Sequence, residues 1–416
     1  MTKTFKGGIV GGFDILKAPD APSITATGTS TQITVTFTNP SDVGGSAITS
    51  FTATAQDPTA GTLTGVTSSS SPVTITGLTT GTNYSVTGLV TNSFGSSPYS
   101  LSVSPTLFSD VGVFMGGYDS NNIAITQDKV TIATDGNATD FGDSTVAMGG
   151  ISGGGASAVR GIFNTGSLSL YSNALLYITF ASLSSAVDFG DLNYTSQVGA
   201  ASLSNSTRMC VATGAVNPGG AARTEVDYVT IATLGDASDF GDLSVARYQT
   251  GACASGTRGL FFGGRDNSAY RESDVIDYRE IASLGTFIDF GNLSEKRYQV
   301  AATCSSTRAL ACGGIEGSQG ADGNVNFIEY ITIASLSNTI DFGDLSRTKT
   351  ACMANNNNTK AIIGGGTGSG GLSSDSYIVE IDKVTITTLS NTSDFGDLSE
   401  GRSQGGSQSS NHGGLH

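Results

Sequence analysis

The chain holds only two histidines, His412 and His416, both within its last five residues. Imidazole is the usual general base and metal ligand near neutral pH, so no HExxH element, Ser-His-Asp grouping or Cys-His metal spacing can be assembled. Five cysteines, Cys210, Cys253, Cys304, Cys312 and Cys352, show no CxxC spacing and read as small buried apolar residues. Paired carboxylates on loops leave one route to catalysis, glycoside hydrolysis. The sequence therefore predicts a protein that is not an enzyme, with no cofactor and no metal. The remaining chemistry is recognition. Asn217, Arg223, Arg265, Tyr270 and Arg271 combine stacking surface with fork-like donors, and Arg247, Arg297, Lys349 and Arg402 add positive charge.

A repeat positions these residues. Asp-Phe-Gly recurs at Asp140, Asp188, Asp239, Asp289, Asp341 and Asp394, at spacings of 48, 51, 50, 52 and 53 residues. A period near 50 marks propeller blades, the kelch class in particular. Each unit reads as four strands: a Tyr-Gln-rich strand, a Ser-Thr-Arg turn, an apolar strand ending in glycines, a variable loop, a strand like Tyr330 to Ser335, and the Asp-Phe-Gly strand. Sixfold recurrence sets aside a kinase-type metal triplet, since no Gly-rich phosphate loop, strand Lys or HRD loop accompanies it. Phe141, Phe189, Phe240, Phe290, Phe342 and Phe395 are expected in the core between units. The following acidic residue, such as Asp143 or Asp397, is expected to cap the turn into the next unit.

Glycine pairs at Gly116-Gly117, Gly263-Gly264, Gly313-Gly314 and Gly364-Gly365 resemble the kelch doublet that ends the second strand. Thr165-Gly166 and Thr213-Gly214 depart from it, and the kelch Trp is absent. The resemblance implies a six-bladed kelch-like β-propeller. The loops after the doublets vary while the strands repeat, as in Asn217 to Thr224, Arg265 to Arg271, Glu316 to Gly323 and Thr367 to Asp375. In a four-stranded unit these loops share a face with the unit-to-unit connections that carry Arg247, Arg297, Lys349 and Arg402. That face is the candidate binding surface, and ordinary solvated loop tips are the alternative. A second ring, Arg160, Arg208, Arg258, Arg308, Lys360 and His412, lies at the first-to-second-strand turns on the opposite face. It either meets acidic neighbours or solvates turn tips. Galactose-oxidase-like enzymes pair a similar propeller with an immunoglobulin-like domain, but their copper site needs histidines that are missing here.

The first unit lacks its innermost strand, and Arg402 to His412 repeats the missing strand and turn. Residues 402–416 are thus expected to complete the first blade, beside Val111 to Asp143, and to close the ring.

Upstream, short alternating blocks at 33–37, 48–54, 73–76 and 84–90, separated by Asn39-Pro40, Gly44-Gly45 and Gly81-Thr82, read as half-buried strands at sandwich spacing. Leu78 to Tyr84 and Thr91 to Gly95 resemble fibronectin type III, with Tyr84 as its tyrosine corner and Phe37 with Pro40 in place of the strand-B Trp and following Pro. The expected fold is therefore all-β: a 1–17 attachment segment, an 18–106 fibronectin type III or immunoglobulin-like sandwich, and a 107–416 propeller.

Net charge of −15 opposes phosphate-backbone binding, so nucleic acid is not an expected partner. No apolar stretch has the length of a membrane span or of a signal-peptide core, so membrane insertion and ordinary secretion are not expected. The Gly/Ser/Thr/Asn-rich composition and units such as Ser335 to Ser346 resemble virion structural proteins of tailed bacteriophages, particularly marine, cyanophage-like ones. That resemblance implies a fibre or appendage for host attachment, or a capsid or neck decoration, or a virion-associated glycan-processing enzyme. It also implies a virion location reached from the host cytoplasm without a signal peptide. The implied partners are virion proteins, met through the N-terminal segment or the fibronectin-like domain, a host surface glycan or protein, and further copies of the chain in a homo-oligomer.

Overall fold

A computed structural model describes residues 16–415 except 30, 80–81, 106, 108, 121, 151–152, 167–171, 183–184, 213, 217–220, 267–271, 317–322 and 369–376. The chain divides into two compact units, Met1–Ser109 and Asp110–His416. Among the described residues no helix is long and apolar enough to cross a membrane.

The first unit is a two-sheet sandwich. One sheet runs Ser23–Gly28, Gln32–Thr38, Val73–Thr76, and the other Leu63–Ser68, Ser50–Gln56, Ser85–Asn92, Gly95–Ser96. Strand alternation sends Ile33, Val35, Phe37, Val73 and Ile75 from one sheet, and Ala53, Ala55, Val86 and Val90 from the other, into one core. The Phe37 ring lies against Gly88, where a Cβ would stand 2.5 Å from Phe37 Cε1. Only glycine fits beneath that ring. Tyr84 is buried, and its hydroxyl accepts the Thr79 N–H at 3.0 Å, as a tyrosine corner requires. Ser23–Gly28 and Leu63–Ser68 were not foreseen, because their Thr, Ser and Gly residues carry little apolar alternation.

The second unit contains six antiparallel arrays of at least four strands, one for each Asp-Phe-Gly repeat. In the fourth repeat the order from inside outward is Gly251–Ala254, Arg258–Phe262, Val275–Glu280, Ile288–Asn292. The second strand is buried at all positions after its leading Arg, since it is covered on both faces. The innermost strands of successive repeats are Gly406–Ser409, Gly154–Ala156, Ala201–Ser204, Gly251–Ala254, Ala301–Cys304 and Met353–Asn356. Each touches the next, and Met353–Asn356 touches Gly406–Ser409, so the contacts run in cyclic order. The C-terminal strand Gly406–Ser409 pairs with residues Gly112 to Met115 of the first repeat.

Just ahead of the inner strands a series of backbone bonds ties successive repeats. Gly150, Gly199, Gln249, Gln299, Ala351 and Gln404 all adopt φ between 54° and 71°. The N–H of Gly199 donates to Gly150 O at 2.6 Å, Gln249 to Gly199 at 2.9 Å, Gln299 to Gln249 at 2.8 Å, Ala351 to Gln299 at 3.2 Å and Gln404 to Ala351 at 2.9 Å. A left-handed conformation costs a non-glycine residue about 1–2 kcal/mol. The linked bonds and cyclic packing offset that cost.

Candidate functional site

The first departure from the sequence expectation concerns Arg247, Arg297, Lys349 and Arg402. They are not on a surface but are among the largest fully buried side chains of the described residues. A guanidinium or ammonium in the interior needs a carboxylate, and each has one. Arg247 pairs with Asp277 at 3.0 Å, Lys349 with Asp382 at 2.8 Å, Arg402 with Asp128 at 2.8 Å, and Arg297 with Glu329. Burial lowers the pKa of Arg247, Arg297 and Arg402, and the facing carboxylate pulls each back up.

Each cation sits in the connector between two repeats and holds both. The Lys349 carbonyl accepts Gly314 N–H at 3.1 Å from the repeat behind, while its ammonium reaches Asp382 in the repeat ahead. The Arg297 and Arg402 carbonyls accept Gly264 and Gly366 N–H at 2.8 and 2.9 Å. This explains the glycine doublet: a Cβ on Gly263, Gly313 or Gly365 would stand 2.4 Å from the carbonyl of Arg297, Lys349 or Arg402. In the last repeat the doublet with positive φ is Gly365-Gly366, one residue later than its sequence placement, because Gly364 still belongs to the strand Lys360–Gly364.

Two junctions differ. Between the first and second repeats Met148 stands where the others have a cation, Leu176 where they have an acid, and both join one apolar cluster. Between the second and third repeats the acid Asp227 remains, and Ser196 holds the cation's sequence position. Asp227 instead accepts from Asn193 N at 2.9 Å and Asn193 Nδ2 at 2.7 Å. Burial raises its pKa, Asn193 pulls it down, and Asp239 and Glu225 add to the rise.

The Asp-Phe-Gly triplet is structural in the same way. All six Phe side chains are buried, and Tyr177, Tyr228, Tyr278 and Tyr330 meet Phe189, Phe240, Phe290 and Phe342 edge-on. The Gly admits the next repeat, since a Cβ on Gly291 would lie 2.2 Å from Ser337 O and one on Gly343 2.3 Å from Ser390 O. The expected capping by the following acidic residue is reversed: its backbone N–H is the donor. Asp397 N donates to Asn137 Oδ1 at 3.1 Å, and Asp344 N to Asn391 Oδ1 at 3.0 Å.

The second predicted ring also binds inward. Arg160, Arg258 and Arg308 donate across the junction to the carbonyls of Ile231, Ile333 and Ile386 at 2.7, 2.8 and 2.9 Å, and stack over Tyr177, Tyr278 and Tyr330. Arg208 does the same with Ile281 and Tyr228. Lys360 reaches Ala133 O at 3.2 Å and Asp135 at 3.1 Å. His412 is buried, with Nε2 2.9 Å from Ala156 O and Nδ1 accepting Gly414 N–H at 3.1 Å. These are staples between repeats and not a free cationic ring.

The inner strands line a cavity of about 50 Å³, to which Ser202, Thr303, Asn355, Cys253, Cys304 and His412 contribute among others. It has room for a few waters and not for a sugar. Among the described residues no three His, Cys, Asp or Glu side chains are grouped to hold a metal.

Of the predicted recognition residues, Asn217, Tyr270 and Arg271 lie outside the described residues. Arg223 stacks over Tyr194 at 5.2 Å and pairs with Glu225 at 2.9 Å. Arg265 lies between two rings contributed by successive connectors, 5.0 Å from the Tyr248 centroid and 4.5 Å from that of Tyr298. Tyr248 and Tyr298 directly follow Arg247 and Arg297, so these two buried clamps each set a tyrosine beside a variable loop. Their place after Arg247 and Arg297 is legible in the sequence, but nothing there shows that both rings reach one Arg.

Residues 17–106 match the fibronectin type III domain family. No curated protein matches the chain.

Proposed function

We propose that the second unit is a six-bladed kelch-like β-propeller closed by the C-terminal strand, and that the chain is a bacteriophage virion structural protein, a tail or neck appendage presenting the variable-loop face of that propeller. Cyclic contact of six similar sheets supports the architecture. The observation that carries the binding reading is Arg265 between Tyr248 and Tyr298. Stacked tyrosines with a planar donor suit a glycan ring or a protein loop, and Arg265 opens one of the loops that vary between repeats. Arg247, Arg297, Lys349 and Arg402 are committed to buried ion pairs and Arg160, Arg208, Arg258 and Arg308 to contacts between repeats, so Arg265 is the cation around which the binding reading is built. The fibronectin type III domain, with the segment before it, is the proposed attachment to other virion proteins. Homo-oligomeric display would strengthen weak individual contacts.

The test is retention of the full chain on host cells and on their isolated surface polysaccharide, with Arg265→Ala and Tyr298→Ala variants beside the parent. Retention that drops at least about tenfold in the variants supports host attachment; about 1.4 kcal/mol corresponds to that factor. Absence of binding by folded, multimerised protein favours a structural decoration that contacts only virion neighbours.

A further inference from the structure

The inner strands meet in a repeating register around the axis. A fourth-position side chain reaches the neighbouring strand: Ser204 Oγ donates to Ala156 O at 3.3 Å, and Cys304 Sγ to Ala254 O at 3.0 Å. It also meets the third-position side chain of the preceding repeat. Asn356, fourth in Met353–Asn356, donates through Nδ2 to Thr303 Oγ1, third in Ala301–Cys304, at 2.6 Å. Cys304 and Cys253 hold those same two positions one junction earlier, fourth in Ala301–Cys304 and third in Gly251–Ala254. The Cys304 thiol donates to the carbonyl of Ala254, the residue next to Cys253, and both cysteines belong to one buried cluster and line the inner-strand cavity.

We propose that Cys253 and Cys304 form a reversible disulfide that staples the fourth repeat to the fifth, with hydrogen peroxide entering the inner-strand cavity as oxidant. The Cys304 sulfur attacks one peroxide oxygen, the O–O bond breaks, and the first water leaves a sulfenic acid. The Cys253 sulfur then attacks the sulfenic sulfur and expels its hydroxyl as the second water. The S–S bond forms, two electrons pass from the thiols to peroxide, and the thiol protons end in water. Burial, with Cys304 alongside, holds the Cys253 thiol well above its ordinary pKa, so the Cys253 thiolate that must attack the sulfenic sulfur is scarce and that second step slow. That suits gradual hardening in an oxidising medium better than rapid sensing. The bond would close a long loop of chain, the case in which a crosslink constrains the unfolded state most. This inference does not depend on what the variable-loop face binds.

The experiment uses the full chain, reduced and then held in hydrogen peroxide, with thiols counted after denaturation. The expected result is loss of two of the five free thiols, a crosslinked peptide pair containing Cys253 and Cys304 with both thiol hydrogens gone, and a melting temperature raised by about 5 °C that reverts with reductant. Cys253→Ala and Cys304→Ala abolish the crosslink, whereas Cys210→Ala leaves it. Five intact thiols under peroxide that has converted methionines to sulfoxides would overturn the proposal. So would conversion of Cys304 to sulfinic acid without a crosslink.

Discussion

Arg247 Nη2 lies 3.0 Å from Asp277 Oδ2, and neither side chain reaches solvent. The Arg precedes the fourth repeat and the Asp lies within its third strand, so the pair fixes where one repeat hands over to the next. Similar pairs recur at Arg297–Glu329, Lys349–Asp382 and Arg402–Asp128. At the junction marked by Met148 and Leu176, apolar contact takes their place. A buried ion pair is therefore one of three solutions this fold uses for the same seam, the third being Asp227 held by Asn193.

Arg247→Met alone should lower stability by about 3–5 kcal/mol, because it leaves the Asp277 carboxylate buried without its cation. The double variant Arg247→Met with Asp277→Leu imitates the Met148 and Leu176 seam and should recover most of that loss. Urea unfolding of the full chain, followed through the transition of the second unit, measures both. A double variant no more stable than the single one would mean that the pair supplies geometry that apolar packing cannot replace.

Asp227 gives the opposite sign. Among the described residues it has no Arg or Lys partner, and burial raises its pKa above the usual 3.8. The folded carboxyl then holds its proton more firmly than the unfolded one, so this group favours folding most at low pH. Its contribution declines as pH rises from 3.8 to the raised folded value, and the full cost persists above that. Asp227→Asn, with the Asn193 amide reversed to accept, should remove this decline and raise the melting temperature at pH 7 while changing little below pH 4. Melting curves across that range decide it. A variant less stable than the parent at pH 7 would show that the Asn193 bonds outweigh the burial of charge.

Much of this pairing was legible as periodicity. Asp128, Asp227, Asp277, Glu329 and Asp382 each stand twelve residues ahead of the triplet Asp, and Arg247, Arg297, Lys349 and Arg402 each eight residues after it. Reading the cations alone suggests a surface ring, since Arg and Lys are rarely buried. Reading them with the acids at fixed offset identifies a clamp. The strands of the repeats, the buried Phe and the pairing of the C-terminal strand followed from alternation and repeat length, whereas Ser23–Gly28 and Leu63–Ser68 did not. The left-handed Gln249, Gln299 and Gln404 did not, because nothing in a glutamine side chain announces positive φ. Nor did the Arg265 sandwich, whose two rings come from separate connectors.

Gly291→Ala tests the reason for the invariant third position of the triplet. The added methyl would meet Ser337 O at 2.2 Å and the residue already has φ of 150°, so steric and backbone costs combine. A loss of at least about 3 kcal/mol is expected. Gly368→Ala is the control, since its nearest neighbour would be Arg347 Nη2 at 3.5 Å, and it should change stability by less than about 0.5 kcal/mol. Equal losses from both would contradict the close-approach argument.

The C-terminal strand makes the strongest demand on the cyclic arrangement. Gly406–Ser409 is bonded to residues 112–115, and the turn beyond it crosses toward several inner strands: Gly413 N donates to Asn356 Oδ1 at 3.0 Å, and a Cβ on Gly414 would lie 2.0 Å from Ser204 O. Deleting residues 406–416 keeps the Arg402–Asp128 clamp but uncovers the Val111–Met115 edge, an open template for pairing with another chain. Amides of residues 112–115 that face the missing strand should then exchange at least about a hundredfold faster, and light scattering should report concentration-dependent association. A synthetic peptide spanning 402–416, added in trans, should restore protection and suppress association, and Gly414→Ala in the intact chain should weaken protection without abolishing it. Unchanged exchange after deletion would mean that the cyclic contacts hold without the C-terminal strand.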